Sequence, residues 1–133
     1  MDYLLKTEPS TYSFADLKRE KTTIWDGVSN PVALKNLRNM KPGERLVIYH
    51  TGDEKAVVGV AKAAAESYPD PSDTTGKFYA VDVVPVRKLK NPVTLAAVKA
   101  DKSFATFPLT RVPRLSVMPV SDDEWERIEG MSK

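Results

Sequence analysis

One short segment combines residue types that suit recognition of a flat, polar ligand. Trp25 precedes a polar turn, Asp26-Gly27-Val28-Ser29-Asn30, and stands in a brief β-branched run, Thr22 to Trp25. An indole offers an apolar stacking face. Asp26, Asn30 and the amides at a helix start offer directional acceptors and donors, so the set matches what holding an unstacked nucleobase requires. Period-2 alternation sends Ile24 and Trp25 to opposite faces of a strand, so with Ile24 in the core Trp25 is presented away from it. The same residues also suit a structural role, with Trp25 closing a core edge and Asn30 only capping a helix.

Other chemistry is poorly supported. The 133 residues contain no cysteine and one histidine, which excludes disulfides, thiolate metal sites and cysteine nucleophiles and disfavours a histidine-rich metal site. The six glycines form no Gly-x-Gly-x-x-Gly, and Gly76-Lys77 lacks the rest of a phosphate loop. His50 has Ser10, Ser29 and Ser116 as possible partners, but none sits in a Gly-x-Ser-x-Gly elbow. Glu8 and Asp26 form a carboxylate pair of a kind that arises by accident among 18 acids.

Charge adds a second indication. Twenty Lys and Arg against 18 Asp and Glu leave a formal charge of only +2, which argues against a generally cationic coat for duplex DNA or membrane. The charge is uneven, however. Between Arg87 and Arg114 seven basic residues meet one acid, Asp101, a local net charge of +6. Arg87, Lys88, Arg111 and Arg114 are the candidates for phosphate contacts in that stretch. A solvated cationic face is the alternative.

The elements that must position these residues follow from pattern and punctuation. The chain has the length of one ordinary domain, residues 1–133, able to bury a core without a covalent or metal staple. A strand through Leu4 and Leu5 ends at Thr7, before Glu8-Pro9. Ser13 caps a first helix with Asp16 at its third position, and Asn30 caps a second with Pro31 at its first. Leu46–Tyr49 and Ala56–Ala64 read as paired strands, with Gly59 marking a bulge or close approach. Phe78–Val86 is a buried strand in which Pro85 requires an edge or a bulge. Thr94–Ala100 reads as a short helix, Ser116–Val120 as a strand, and Ser121 with Glu124 as the capping box of a last helix that Gly130 closes. The sum is α+β, with a curved mixed or antiparallel sheet or partly closed β-barrel flanked by short helices. Met1–Lys6 lacks the features of a secretion signal, and no apolar run approaches a membrane span. The expectation is a cytoplasmic or nucleoid-associated monomer with no membrane partner.

Read in order, several blocks resemble the EVE domain across essentially the whole chain. They are Lys6-Thr7-Glu8-Pro9-Ser10-Thr11-Tyr12-Ser13-Phe14, Trp25-Asp26-Gly27-Val28-x-Asn30, Asn36-Leu37-Arg38-x-Met40-Lys41-x-Gly43 and Tyr49-His50-Thr51. Val58-Gly59, Tyr68-Pro69-Asp70-Pro71, Val81-Asp82-Val83, Pro92-Val93-Thr94-Leu95 and Arg114-Leu115-Ser116-Val117 continue the match. The resemblance implies a PUA-like barrel related to YTH and ASCH domains. It also implies a non-catalytic reader of modified bases, such as 5-methylcytosine and its oxidised forms in DNA or a modified base in RNA, with no cofactor or metal. Carried over by position, it places the aromatic pocket residue at Trp25 and polar contacts at Asp26 and Asn30. The strand end Lys6, Thr7 and Glu8 lies alongside, with Tyr49, His50 and Ser116 in matching blocks. Ser29 and Pro31 stand where the family usually has an arginine and a larger residue, and the loop Pro71–Lys77 is shorter than in many members. Two other readings stay open: a small-molecule or nucleotide-binding domain, and an enzyme acting on a nucleobase.

Overall fold

A computed structural model describes residues 1–133. Seven strands, β1 (Asp2–Thr7), β2 (Thr23–Trp25), β3 (Arg45–His50), β4 (Ala56–Ala63), β5 (Tyr68–Pro69), β6 (Tyr79–Thr94) and β7 (Val117–Val120), form one curled sheet. Five helices flank it: α1 (Phe14–Glu20), α2 (Pro31–Arg38), α3 (Leu95–Ala100), α4 (Pro108–Arg111) and α5 (Asp122–Met131). The strand order is β2-β6-β4-β3-β1-β7, with short β5 added to β6. Only β1 and β3 pair in parallel; the segment carrying α1, β2 and α2 makes the crossover that a parallel pair requires. No helix is long and apolar enough to cross a membrane.

Local signals set the helix boundaries. Ser13 Oγ accepts from the Asp16 amide at 3.1 Å while the Asp16 carboxylate accepts from the Ser13 amide at 2.8 Å, a closed capping box. Ser121 and Glu124 repeat that arrangement at the start of α5. The oxygen of the Asn30 side chain accepts from both Val32 and Ala33 amides ahead of Pro31.

α2 packs against both β7 and β6. From its last turn Asn36 Nδ2 donates to the Val117 carbonyl of β7 at 2.8 Å, and the Arg38 guanidinium lies 4.6 Å over the Tyr79 ring at the start of β6. The apolar core fills the curl, from Leu4 and Leu5 through Leu46, Ile48, Val60 and Val83 to Ile128. Asp2 and Arg45 pair along the sheet at 2.9 Å, and the same guanidinium stacks 4.2 Å over Trp125, so this second tryptophan is a buried anchor for α5.

Two expectations are corrected. β6 runs on to Thr94 instead of ending at Val86, because its charged stretch keeps pairing with β4 and Asn91 is held by the Ser132 and Lys133 carbonyls. α5 passes through Gly130 to Met131. The segment after Asp101, which the sequence pattern left without an assignment, holds a 3₁₀ turn over Lys102–Phe104 and then α4, with Phe104 and Phe107 packed together at a ring-centroid separation of 5.5 Å. The bulges lie where glycine and proline announced them. The β4–β6 register shifts between Val57 and Gly59, and again where Pro85 and Arg87 flank a bulged Val86.

Gly59 also permits a close approach: a Cβ there would lie 2.5 Å from the Phe14 ring, which α1 lays directly on the strand. Gly59→Ala is therefore expected to push Phe14 out of place and cost about 1–3 kcal/mol in urea unfolding; an unchanged midpoint would contradict this packing.

Candidate functional site

Where β1 ends and edge strand β2 begins, the surface opens into a cleft of about 480 Å³, within the range of small-ligand sites. Its walls are Lys6, Thr7 and Glu8 from the end of β1, Thr11 and Tyr12 from the following turn, and Thr23, Ile24, Trp25 and Asp26 from β2 and its exit.

Pairing with β6 fixes the orientation of Trp25. Residues directly opposite across two strands share a face, and Trp25 faces Val81 whereas Ile24 faces Asp82. Val81 is fully buried, so Trp25 turns inward and Ile24 outward, 52% exposed. This reverses the expected alternation, which placed Ile24 in the core. Because β2 is three residues long and at the sheet edge, the inward indole is only half-buried: it packs against the core and also walls the cleft. Tyr12 meets it edge to face, with centroids 6.4 Å apart and planes at 86°. Burial raises the Tyr12 phenol above its ordinary pKa, and its hydroxyl donates to Glu20 at 2.7 Å.

The turn after β1 is built around Glu8. Its carbonyl accepts from the Thr11 and Tyr12 amides, and its carboxylate accepts from the Ser10 hydroxyl and, at 2.6 Å, the Ser10 amide. The Ser10 hydroxyl, then the Ser10 amide, hold this carboxyl below its ordinary pKa. Thr7 Oγ1 donates to the Tyr12 carbonyl at 2.6 Å, closing the same turn.

Lys6 brings positive charge to the cleft wall. Its ammonium donates to the Pro113 carbonyl at 2.7 Å and sits 5.8 Å from the Tyr49 ring centroid, and burial lowers its pKa. Asp26, at the exit of β2, lines the same cleft and is exposed. Its charge also reaches Tyr68, whose hydroxyl donates to Asp82 at 2.6 Å and whose pKa is pushed up to about 12, chiefly by that bond.

Of the residues singled out from sequence, Lys6, Thr7, Glu8, Trp25 and Asp26 converge on the cleft. Asn30 lies beyond it, its oxygen engaged in capping α2. Tyr49 is buried beneath Lys6, and the Ser116 carbonyl accepts from the Lys6 amide at 3.0 Å. His50 is buried as a brace: Nε2 accepts from the Phe14 amide at 3.0 Å, so the proton resides on Nδ1, which faces Glu54 at 2.6 Å. Arg87 is paired with Glu129 of α5, and Arg87 and Lys88 stand about 20 Å along β6 from the pairing partner of Trp25. Arg111 and Arg114 are exposed on the segment that reaches Lys6. Thr11, Tyr12, Thr23 and Ile24 line the cleft without having been singled out for it; the Glu8-Pro9 strand end is the signal for Thr11 and Tyr12, and the short run before Trp25 is the signal for Thr23 and Ile24. No three His, Asp or Glu side chains cluster as a metal site would require.

The EVE domain family model matches residues 2–131, and the chain belongs to that family. It is 32% identical to human thymocyte nuclear protein 1 over 165 aligned residues, covering 98% of this chain and 73% of that protein. It superposes on the NMR structure of Rpa0253 from Rhodopseudomonas palustris with a TM-score of 0.93 and 40% identity, covering 98% of this chain and 91% of that one. The crystal structure of human THYN1 in complex with DNA containing 5-methylcytosine gives a TM-score of 0.90 at 31% identity, covering 99% and 97% of the two chains. An ASCH protein from Zymomonas mobilis shares the fold at 14% identity, with a TM-score of 0.63 over 99% of this chain and 96% of that one. The PUA-like half-barrel expected from sequence is thus the fold of this chain.

Two measurements test this construction. His50→Leu strands the buried Phe14 amide and is expected to cost about 1–3 kcal/mol in urea unfolding at neutral pH; an unchanged midpoint would show that the brace carries nothing. Because the Glu8 pKa is lowered on folding, its contribution is present above its ordinary value of 4.5 and fades as pH falls through the lowered one. The Ser10 amide resonance is expected to titrate with a midpoint below 4.5, and a midpoint at or above that value would contradict the turn.

Proposed function

We propose that this chain reads a modified base in DNA, taking an extruded 5-methylcytosine or an oxidised form of it into the cleft and stacking it on Trp25. The observation that carries the reading is a half-exposed indole lining an open cleft to which Lys6 brings a cation and Asp26 an anion. Support also comes from human THYN1, whose structure holds DNA containing 5-methylcytosine.

The cleft's polarity suits the pairing edge of cytosine. An exposed carboxylate at Asp26 accepts from the exocyclic amine, as acidic side chains do with cytosine N4. Lys6 keeps two N–H donors after bonding Pro113, and these suit the ring carbonyl. Thymine carries the same methyl group but presents an acceptor where cytosine presents its amine, so Asp26 repels it. Unmodified cytosine is distinguished more weakly, since one methyl-sized group buried in apolar space contributes about 0.8 kcal/mol.

The reading is non-catalytic. Both nitrogens of His50 are engaged in bracing, and the Glu8 carboxylate is tied to Ser10, so neither is poised to move a proton at the cleft. The chain acts as a single copy in the cytoplasm or at the nucleoid, and phosphate contacts come from Arg111 and Arg114 beside Lys6, with Arg87 and Lys88 serving only a longer polymer.

The test is equilibrium binding of wild type and Trp25→Ala to oligonucleotides differing only in 5-methylcytosine, cytosine or thymine. Loss of stacking is expected to weaken 5-methylcytosine binding by about 1–3 kcal/mol, roughly 5- to 150-fold in Kd. Equal binding of all three oligonucleotides by both proteins would remove the proposal. Conversion of the base, detected by mass spectrometry, would favour an enzyme instead.

A further inference from the structure

The segment that touches Lys6 has a form of its own. After α4 the chain makes a tight turn, Val112-Pro113-Arg114-Leu115, closed by the Leu115 amide donating to the Val112 carbonyl at 3.0 Å. Proline at the second position stiffens it, and the Val112 amide is tied back to the Pro108 carbonyl at 2.8 Å. The turn is joined to the cleft through the Pro113 carbonyl, which accepts the Lys6 ammonium at 2.7 Å. Its surface is unusual for a loop: Val112 is 47% exposed and Pro113 is exposed, with exposed arginines on either side, Arg111 and Arg114. No acid occurs from Lys102 to Ser121. Arg111 spends one N–H on the Ala105 carbonyl at 3.1 Å, which fixes the stem and leaves the rest of its guanidinium to the solvent.

An apolar tip between two guanidiniums has little reason to face water, but it matches one kind of surface well. Nucleic-acid binders that unstack a duplex insert an apolar side chain between base steps while cations hold the neighbouring phosphates. A base can enter the cleft from a duplex only if the gap it leaves is filled or its cost is otherwise met. We infer that the Arg111–Arg114 turn is a wedge for duplex DNA: Val112 and Pro113 enter the stack vacated by the extruded base, and Arg111 and Arg114 hold the phosphates on either side. The assignment rests on the base-reading role of the cleft. It adds that the protein opens paired DNA and is not confined to bases already single-stranded.

The test compares the full chain's affinity for a labelled duplex bearing one 5-methylcytosine with its affinity for the modified strand alone. Val112 is exposed, so Val112→Asn leaves the core untouched, and Pro113→Ser is a second variant in the same tip. Each is expected to weaken duplex binding about tenfold while single-strand binding stays within about twofold. Arg114→Gln is expected to weaken both forms and to reduce the salt slope by about one. A 2-aminopurine beside the modified base should brighten with wild type as the stack opens and stay dim with Val112→Asn. An unchanged ratio of duplex to single-strand affinity in both tip variants overturns the inference, as does dim 2-aminopurine with wild type. Trp25→Ala separates the two ideas, because loss of stacking lowers affinity for both forms alike. If Trp25→Ala alters neither form while Val112→Asn alters the ratio, stacking on Trp25 fails and only the duplex-opening role of the turn stands.

Discussion

Three cross-strand pairs, Thr23 with Val83, Ile24 with Asp82 and Trp25 with Val81, determine which way the indole of Trp25 faces. A shift of one residue would turn Trp25 to the solvent and Ile24 to the core, since side chains alternate strictly along a strand. In the register formed, Val81 and Val83 are buried and draw their partners inward. The strand is too short and too close to the sheet edge to enclose a ring of that size. The outcome is an aromatic face packed on the core on one side and open on the other, which is the preordered surface that the proposed stacking requires.

The surrounding groups serve that geometry from different distances. The Glu8 turn brings Tyr12 edge-on to the indole. Behind the turn, His50 satisfies the first amide of α1, which seats Phe14 on Gly59 and fixes where α1 begins. Lys6 joins the β1 end to the turn after α4, so the cationic wall of the cleft and the arginine-bearing turn belong to one hydrogen-bonded unit. Trp125 illustrates the contrast: covered by Arg45 and buried, it holds α5 and takes no part in the cleft.

Much of this was legible in the sequence because it depended on neighbours a few residues apart. The caps at Ser13, Asn30 and Ser121, the bulge at Gly59 and the irregularity at Pro85 are local features, and each lies where its residue type demands. What depended on partners far along the chain was less visible. The inward turn of Trp25 is decided by Val81, and the continuation of β6 past Val86 is decided by β4 and the C-terminal carbonyls. Net charge was misleading in its own way: Arg87 and Arg111 belong to one basic segment by counting, yet one is paired to α5 and the other stands beside Lys6's partner loop. The family's motif blocks identified the strand ends around the cleft without revealing that Tyr49 is buried beneath Lys6 and that His50 braces α1.

The proposed function requires Trp25 to receive the base, and the chain carries its own control, since it has only two tryptophans. Titrating the full chain with a 5-methylcytosine oligonucleotide while recording both indole Nε1–H resonances puts the matter directly. The Trp25 signal should move as the ring current of a stacked base reaches it, and that of buried Trp125 should stay in place. Saturable binding that leaves the Trp25 resonance where it was, or that moves only Trp125, would contradict the account.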